Sequence, residues 1–153
     1  MRNVDADGKL VNYGFRYTVG LSHSEFIQLS QRIDRAVIEH FAGNDAIIGW
    51  QVDNEIGMNN DCYCERCQRR FHHYLEAKYG TLDALHEAWG SHFWSFTFTD
   101  WHEVPLPHFS PQLALEYRRF LSSLNVEFTR WRSDLIRELD PGKFVTTNFQ
   151  SFH

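Results

Sequence analysis

The chain has 153 residues, 42% of them hydrophobic and 16% aromatic, and its formal net charge is −5 at pH 7. This length and composition are typical of one domain with a real hydrophobic core. The acidic balance and the lack of a lysine/arginine cluster disfavour a nucleic-acid or anionic-membrane partner. No stretch is apolar enough for a signal region or a membrane span, so a cytoplasmic setting is expected.

The first predicted element is an amphipathic helix that follows an aperiodic loop at residues 1–21. Ser22 and Glu25 have the spacing of a capping box, which is typical of a helix start, and Gly43 is a helix-stop signal. Apolar side chains recur between them at helical spacing. They are Phe26, Leu29, Ile33, Val37 and Phe41. We expect this stripe to pack against a sheet.

A buried strand is predicted at about 45–52. The run is apolar and β-branched and ends abruptly in Asp53-Asn54-Glu55, which is typical of a strand in a parallel sheet. Barrel enzymes place their chemistry at the carboxyl ends of such strands. An Asn directly before a Glu indicates an amide that contacts substrate, Asn54, beside a carboxyl group that handles protons, Glu55.

The polar loop after this strand carries the three cysteines of the chain, as Cys62-x-Cys64-x-x-Cys67. Three cysteines within six residues do not indicate a disulfide framework. Thiolates at this spacing can reach one ion, and soft sulfur ligands favour zinc held tetrahedrally. The alternatives for a fourth ligand are water, Asp61, His72 and His73. A further alternative is that the thiols stay reduced and bind no metal.

Two helices are predicted after the cysteine loop. The first ends at Gly80, and its apolar face comprises Cys67, Phe71, Tyr74, Leu75 and Tyr79. Thr81 caps the second, shorter helix, whose inward residues are Leu82, Leu85 and Trp89. Residues 91–109 are aromatic and contain proline, so they are predicted to form a loop that packs against the rest of the chain.

A long helix and a second strand complete the pattern. Ser110-Pro111 begins the helix, because proline suits the first helical position. The apolar stripe of this helix comprises Leu113, Tyr117, Phe120, Leu124, Phe128, Trp131, Leu135 and Leu139. After a turn at 140–142, residues 143–148 alternate as a strand. This order predicts part of a βα-barrel with an insertion after the first strand, and a right-handed crossover places the two strands side by side.

Six segments of the chain, in this order, resemble glycoside hydrolase family 42, most of whose members are β-galactosidases. The segments are Trp50–Glu55, Cys62–Cys67, Tyr79–Leu85, Ala88-Trp89-Gly90, Phe93-Trp94-Ser95 and Pro141–Phe149. The resemblance extends from about Gly14 to Phe149. Asn-Glu alone ends a strand in many barrel glycosidases, so the specificity comes from the cysteine motif and the landmarks that follow it.

The resemblance implies an α/β fold, a partial (β/α)8 TIM barrel from the region before strand four through strand five. The cysteine loop is then an insertion after strand four. A complete barrel needs about 250 residues. Residues 1–153 are therefore expected to form one domain, a fragment of a glycoside hydrolase catalytic barrel.

The resemblance also implies a retaining β-galactosidase, which hydrolyses terminal β-D-galactosyl residues. Glu55 corresponds to the acid/base, Asn54 contacts substrate beside it, and Arg16 corresponds to an arginine that contacts the galactose. The family's nucleophile, a glutamate near the end of strand seven, has no counterpart in this chain. The isolated chain is therefore expected to be inactive and, because its strand edges are unpaired, to form homo-oligomers.

Many members of the family carry a structural zinc at the cysteine motif, completed by a fourth cysteine from the loop before the preceding helix. That position falls near Gly20, and this chain has no cysteine there. The resemblance implies a structural zinc held by Cys62, Cys64 and Cys67, and no catalytic metal.

Two other classes of protein stay open. One is a non-enzymatic zinc-binding module, although such modules normally supply four ligands in two close pairs. The other is a carbohydrate-binding remnant, in which Phe93, Trp94 and Trp101 stack on a sugar without turnover.

Overall fold

A computed structural model of the protein describes residues 2–14, 18–57, 61–107 and 110–149. The helices in these ranges are α1 (Ser24–Phe41), α2 (Glu65–Tyr79), α3 (Leu82–Trp89) and α4 (Pro111–Leu139). The strands are β1 (Gly49–Gln51) and β2 (Phe144–Thr146), and short 3₁₀ turns occupy Phe93–Ser95 and Trp101–Glu103. None of the described helices has both the length and the hydropathy that a membrane crossing requires.

The strands β1 and β2 form a parallel pair. The partners are Gly49 and Phe144, Trp50 and Val145, and Gln51 and Thr146. This confirms the prediction that the two strands lie side by side, although each is only three residues long and shorter than predicted. A Cβ at Gly49 would lie 2.6 Å from the Phe144 ring, so a larger residue at this position would displace that ring. In the described part of the chain the sheet has two strands, so each strand keeps an edge without a strand partner.

Asp140, at the end of α4, connects this sheet to the helices. One carboxylate oxygen accepts a hydrogen bond from Trp50 Nε1 at 2.8 Å, and the other accepts one from Gly43 N at 3.2 Å. The hydrogen bond from the Trp50 indole lowers the pKa of Asp140. A single carboxylate therefore holds together the end of α4, the strand β1 and the turn after α1.

The predicted stripe of α4 forms the largest part of the core. Its buried residues include Leu113, Tyr117, Phe120, Leu124 and Phe128, which are at most 5% exposed. Phe71 of α2 and Leu85 of α3 pack into the same cluster. The periodicity of α2, α3 and α4 is thus confirmed, with Trp131 and Leu139 only partly buried.

The capping-box prediction for α1 is wrong. The helix begins at Ser24, and its N-cap residue His23 makes no side-chain capping bond. The Ser22 hydroxyl instead accepts a hydrogen bond from the Cys67 thiol at 3.2 Å. A hydrogen bond from Cys67, in the first turn of α2, has taken the place of the predicted cap.

The predicted inward stripe of α1 is largely exposed. Leu29, Ile33, Val37 and Phe41 are 45%, 59%, 41% and 42% exposed, and the buried residues of α1 are Ser30 and Ile38. The helix packs on α4, and the three-residue strands are too short to cover its other apolar side chains. Exposed apolar side chains in one row favour association.

We expect this exposed row to make the isolated chain self-associate. The purified chain should elute from size exclusion well above its mass of 18.1 kDa, and the double variant Ile33→Glu/Val37→Glu should elute later. The matched control is Leu115→Glu/Val126→Glu, which adds the same charge at two α4 positions that are each 50% exposed. Elution of the unaltered chain as a clean monomer would contradict the expectation.

Candidate active site and metal centre

The ends of β1 and β2 meet at a network of amide side chains. Asn148 Nδ2 donates to Asn54 Oδ1 at 3.1 Å, and Asn148 Oδ1 accepts from Gln51 Nε2 at 2.9 Å and from the Glu55 backbone N–H at 3.3 Å. Asn148 thus holds both residues of the predicted Asn-Glu pair. The sequence analysis assigned it no role, although its position at the end of the predicted strand 143–148 was the available signal.

The backbone at this strand end is strained. Asp53 and Glu55 have φ values of 63° and 55°, a left-handed conformation that costs a non-glycine residue on the order of 1–3 kcal/mol. Asp53 Oδ1 accepts from the Asn54 backbone N–H at 2.7 Å, and Asp53 Oδ2 accepts from Arg132 Nη1 at 3.0 Å. Arg132 is itself held by Asp34, which accepts from its Nε at 2.6 Å. Strain that surrounding contacts stabilise in this way is typical of functional sites.

Arg132 lies far from the strand end in the sequence and was not identified from it. Its guanidinium stands 4.3 Å from the centroid of the Phe128 ring and is only 20% exposed. An arginine is always charged, and the Asp53 carboxylate lies 3.0 Å from Arg132 Nη1. The two side chains therefore form an ion pair. Asp53 thus ties the strand end to α4 through Arg132 and accepts a hydrogen bond from the Asn54 backbone.

The remaining sugar-site candidates are placed as follows. Glu55 is half-buried and the Asn54 side chain is exposed beside it, so a carboxyl group and an amide stand together at the edge of the sheet. Arg16 lies outside the described residues. Phe93 is 72% exposed, whereas Trp101 packs against the hydrophobic core, and the Trp94 side chain lies outside the description.

The three cysteines form one compact cluster. Their Sγ atoms all lie within 4.8 Å of one another, and Cys64 Sγ and Cys67 Sγ are 3.7 Å apart. Thiolates bound tetrahedrally at about 2.3 Å from zinc would stand about 3.8 Å from each other. Cys62 and Cys67 are 1% and 0% exposed, and all three thiols are free of disulfides. The cluster therefore fits the donor set and the spacing of a metal site.

Hydrogen bonds around the cluster favour one thiolate. The Cys67 thiol lowers the pKa of Cys62 by hydrogen bonding to it, and the backbone N–H groups of Val4 and Cys64 act in the same direction. Val4 N lies 3.5 Å from Cys62 Sγ. The same hydrogen bond, together with burial, raises the pKa of Cys67. A bound cation would favour the thiolate form of the cysteines, because metal ligands bind deprotonated.

None of the three side chains predicted as alternative fourth ligands joins the cluster. Asp61 is exposed, His72 Nε2 hydrogen-bonds the Val104 carbonyl at 2.8 Å, and His73 is 82% exposed beside Glu76. Gly20 does lie at the cluster, because a Cβ at this position would stand 3.5 Å from Cys62 Sγ. Gly20, near which the resemblance places a fourth cysteine, therefore lies beside the cluster.

Comparison with known proteins identifies the family. Residues 1–153 match the model of glycoside hydrolase family 42, described as β-galactosidase. A β-galactosidase of Thermus thermophilus is 40% identical over 156 aligned residues, which cover 97% of this chain and 24% of that protein. Solved structures of β-galactosidases from Halorubrum lacusprofundi and Marinomonas ef1 superpose with TM-scores of 0.91 and 0.93, at 37% and 29% identity.

These superpositions cover 97% and 100% of this chain but only 23% and 24% of the two solved chains. The chain therefore spans about a quarter of the length of the relatives that it matches. Because the family model matches this chain from residue 1 to residue 153, the chain belongs to glycoside hydrolase family 42.

Proposed function

We propose that this chain is the part of a retaining β-galactosidase barrel that carries the acid/base, Glu55. The observation that carries the proposal is the Asn54-Glu55 pair at the carboxyl end of a parallel strand, held there by Asn148. The order of α1, β1, the α2–α3 excursion, α4 and β2 fits a barrel segment from before strand four through strand five. The cysteine loop is then the insertion after strand four.

The chemistry assigned to Glu55 has two steps. As an acid it protonates the glycosidic oxygen while a second carboxylate attacks the anomeric carbon and displaces the alcohol. As a base it then takes a proton from water, which attacks the galactosyl–enzyme and releases galactose. Asn54 lies beside Glu55 and donates its amide to a sugar hydroxyl, and Arg16 is proposed to bind the galactose as well.

We propose that the attacking carboxylate is supplied by polypeptide outside residues 1–153. At the described strand ends, the other carboxylate is Asp53, which is paired with Arg132. The strand β2 is followed by Thr147 and Asn148, an alcohol and an amide. The isolated chain should therefore show no β-galactosidase activity above the blank.

A hybrid enzyme tests the proposal. This chain replaces the matching quarter of the Thermus thermophilus β-galactosidase, to which it is 40% identical, and hydrolysis of a chromogenic β-galactoside is measured. We expect the hybrid to turn over substrate and the isolated chain to be inactive under the same conditions. Turnover by the isolated chain that depends on Glu55 would contradict the missing-carboxylate proposal.

We propose further that Cys62, Cys64 and Cys67 hold a structural zinc, because their sulfurs have the spacing of a tetrahedral site. Zinc bound here would hold the loop at Cys62 against the start of α2 and would take no part in glycoside hydrolysis. A cytoplasmic setting, in which thiols stay reduced, suits such a site.

The metal content of the purified chain tests this zinc site. We expect about one zinc per chain by elemental analysis, since three thiolates bind one ion, and its loss with Cys64→Ser. The matched control is His73→Ala, which changes an exposed potential ligand on α2 and should leave the zinc content unchanged. Metal-free protein with three freely titrating thiols would contradict the proposal.

A further inference from the structure

One buried imidazole stands beside the position that lacks the fourth cysteine. His23 is 8% exposed, and its Nε2 is buried without a hydrogen-bond partner among the described residues. A Cβ on Gly20 would lie 3.5 Å from His23 Cδ2, the carbon bonded to Nε2, and equally 3.5 Å from Cys62 Sγ. The ring edge that carries Nε2 and the Cys62 sulfur thus border the same space.

We propose that His23 Nε2 is the fourth ligand of the metal, so that three thiolates and one imidazole complete a tetrahedral site. This inference rests on the zinc site proposed above. Imidazole nitrogen is, after thiolate, the preferred zinc donor in structural sites. The His23 nitrogens lie outside the group of ligand atoms that are within 4.8 Å of one another. The ring must therefore turn toward the sulfurs when the ion binds.

Neighbouring side chains account for the proton on the other ring nitrogen. Arg66 Nη1 lies 3.1 Å from His23 Nδ1 and 2.9 Å from Glu25 Oε2. An arginine can only donate, so Nδ1 accepts the hydrogen bond from Arg66. With a metal at Nε2 the ring proton would lie on Nδ1, where Glu25 would accept it in place of the Arg66 contact. Zinc-bound histidines are commonly oriented by a carboxylate in this way.

The other groups around Gly20 are poorer donors for a thiolate-bound zinc. Asn3 Oδ1 would lie 2.8 Å from a Gly20 Cβ, but an amide oxygen suits hard cations rather than a zinc ion held by sulfur. The Ser22 hydroxyl is occupied by the Cys67 thiol at 3.2 Å. The imidazole is therefore the best match in chemistry for the missing cysteine.

The direct test is NMR of the chain loaded with a spin-active cadmium isotope as the probe. We expect a cadmium–proton correlation to the ring of His23 as well as to the β-protons of the three cysteines. Bound cadmium that correlates with the cysteines alone would overturn the assignment of His23 and leave the zinc site intact. Failure of the chain to bind any cadmium would overturn both.

Variants give a second readout that does not depend on activity. Cobalt bound to His23→Cys should show the sulfur-to-metal absorption of a four-thiolate site. This absorption should be stronger than that of the unaltered chain, in which three thiolates bind the cobalt. Glu25→Ala should weaken zinc binding by about 10–100-fold, the usual effect of losing a histidine's orienting partner. Glu65→Ala removes a carboxylate that is 91% exposed at the start of α2 and serves as the control. Unchanged cobalt absorption in His23→Cys would overturn the inference.

Discussion

Replacing Glu55 by glutamine in the hybrid enzyme is expected to lower the turnover of an alkyl β-galactoside by about 10²–10⁴-fold, the usual contribution of general acid–base catalysis. Glutamine has the shape of glutamate, and the backbone N–H of residue 55 still donates to Asn148. The fold and the left-handed backbone should therefore be unchanged, and the loss should come from the missing proton.

The dependence on the leaving group separates this cause from a structural one. The leaving group of an aryl galactoside with an acidic phenol needs little protonation. In Glu55→Gln, the rate of cleavage of its glycosidic bond should therefore fall far less than the rate for the alkyl substrate. The matched control is Glu87→Gln, an exposed glutamate on α3, which should leave both rates unchanged. Unaltered turnover of the alkyl galactoside by Glu55→Gln would remove Glu55 from the mechanism.

Phe71→Ala is expected to lower the free energy of unfolding by about 3–5 kcal/mol, the usual cost of deleting a buried phenylalanine ring. Phe71 is 0% exposed, and its ring centroid lies 5.0 Å from that of Tyr117 and 5.5 Å from that of Phe120. The substitution leaves a cavity between α2 and α4. A domain of this kind is typically stable by only about 5–15 kcal/mol, so the variant should be close to unfolding.

Urea unfolding followed by tryptophan fluorescence measures this loss. Phe93→Ala is the matched control, because Phe93 is 72% exposed and its removal should change stability by no more than about 0.5 kcal/mol. Equal unfolding midpoints for the two variants would show that the cluster around Phe71 does not hold the chain together.

The sequence predicted the helices well where the neighbouring elements lie within the chain. The stripe of α4 was correct because the helices that pack against it, α1 and α2, are also present. The stripe of α1 was identified correctly as apolar, but its burial depends on what packs against it. In the described residues, Phe26 and Ile38 of α1 pack against α4, and the rest of the stripe is exposed. Periodicity shows that a face is apolar and does not show which partner covers it.

Some residues of the candidate site could be predicted from the sequence, and others could not. Asn54, Glu55 and the cysteines could be identified from the sequence because the residues of each group lie within six positions of one another. The groups that hold them come from distant parts of the chain, since Arg132 is 79 residues from Asp53 and Asn148 is 93 residues from Glu55. His23 could not be linked to the cysteines from spacing alone, because a turn before α1 brings it there. Such contacts follow from the fold rather than from a local pattern.

Azide rescue of Glu55→Ala in the hybrid enzyme tests the central claim most directly. With an activated aryl β-galactoside, the attacking carboxylate should still displace the phenolate and form an α-linked galactosyl–enzyme. Azide can then enter the space left by Glu55, attack the anomeric carbon and release the carboxylate. We expect the rate of aryl galactoside cleavage to rise with the azide concentration. The expected product is β-galactosyl azide. Formation of α-galactosyl azide would instead make Glu55 the nucleophile and contradict its assignment as the acid/base.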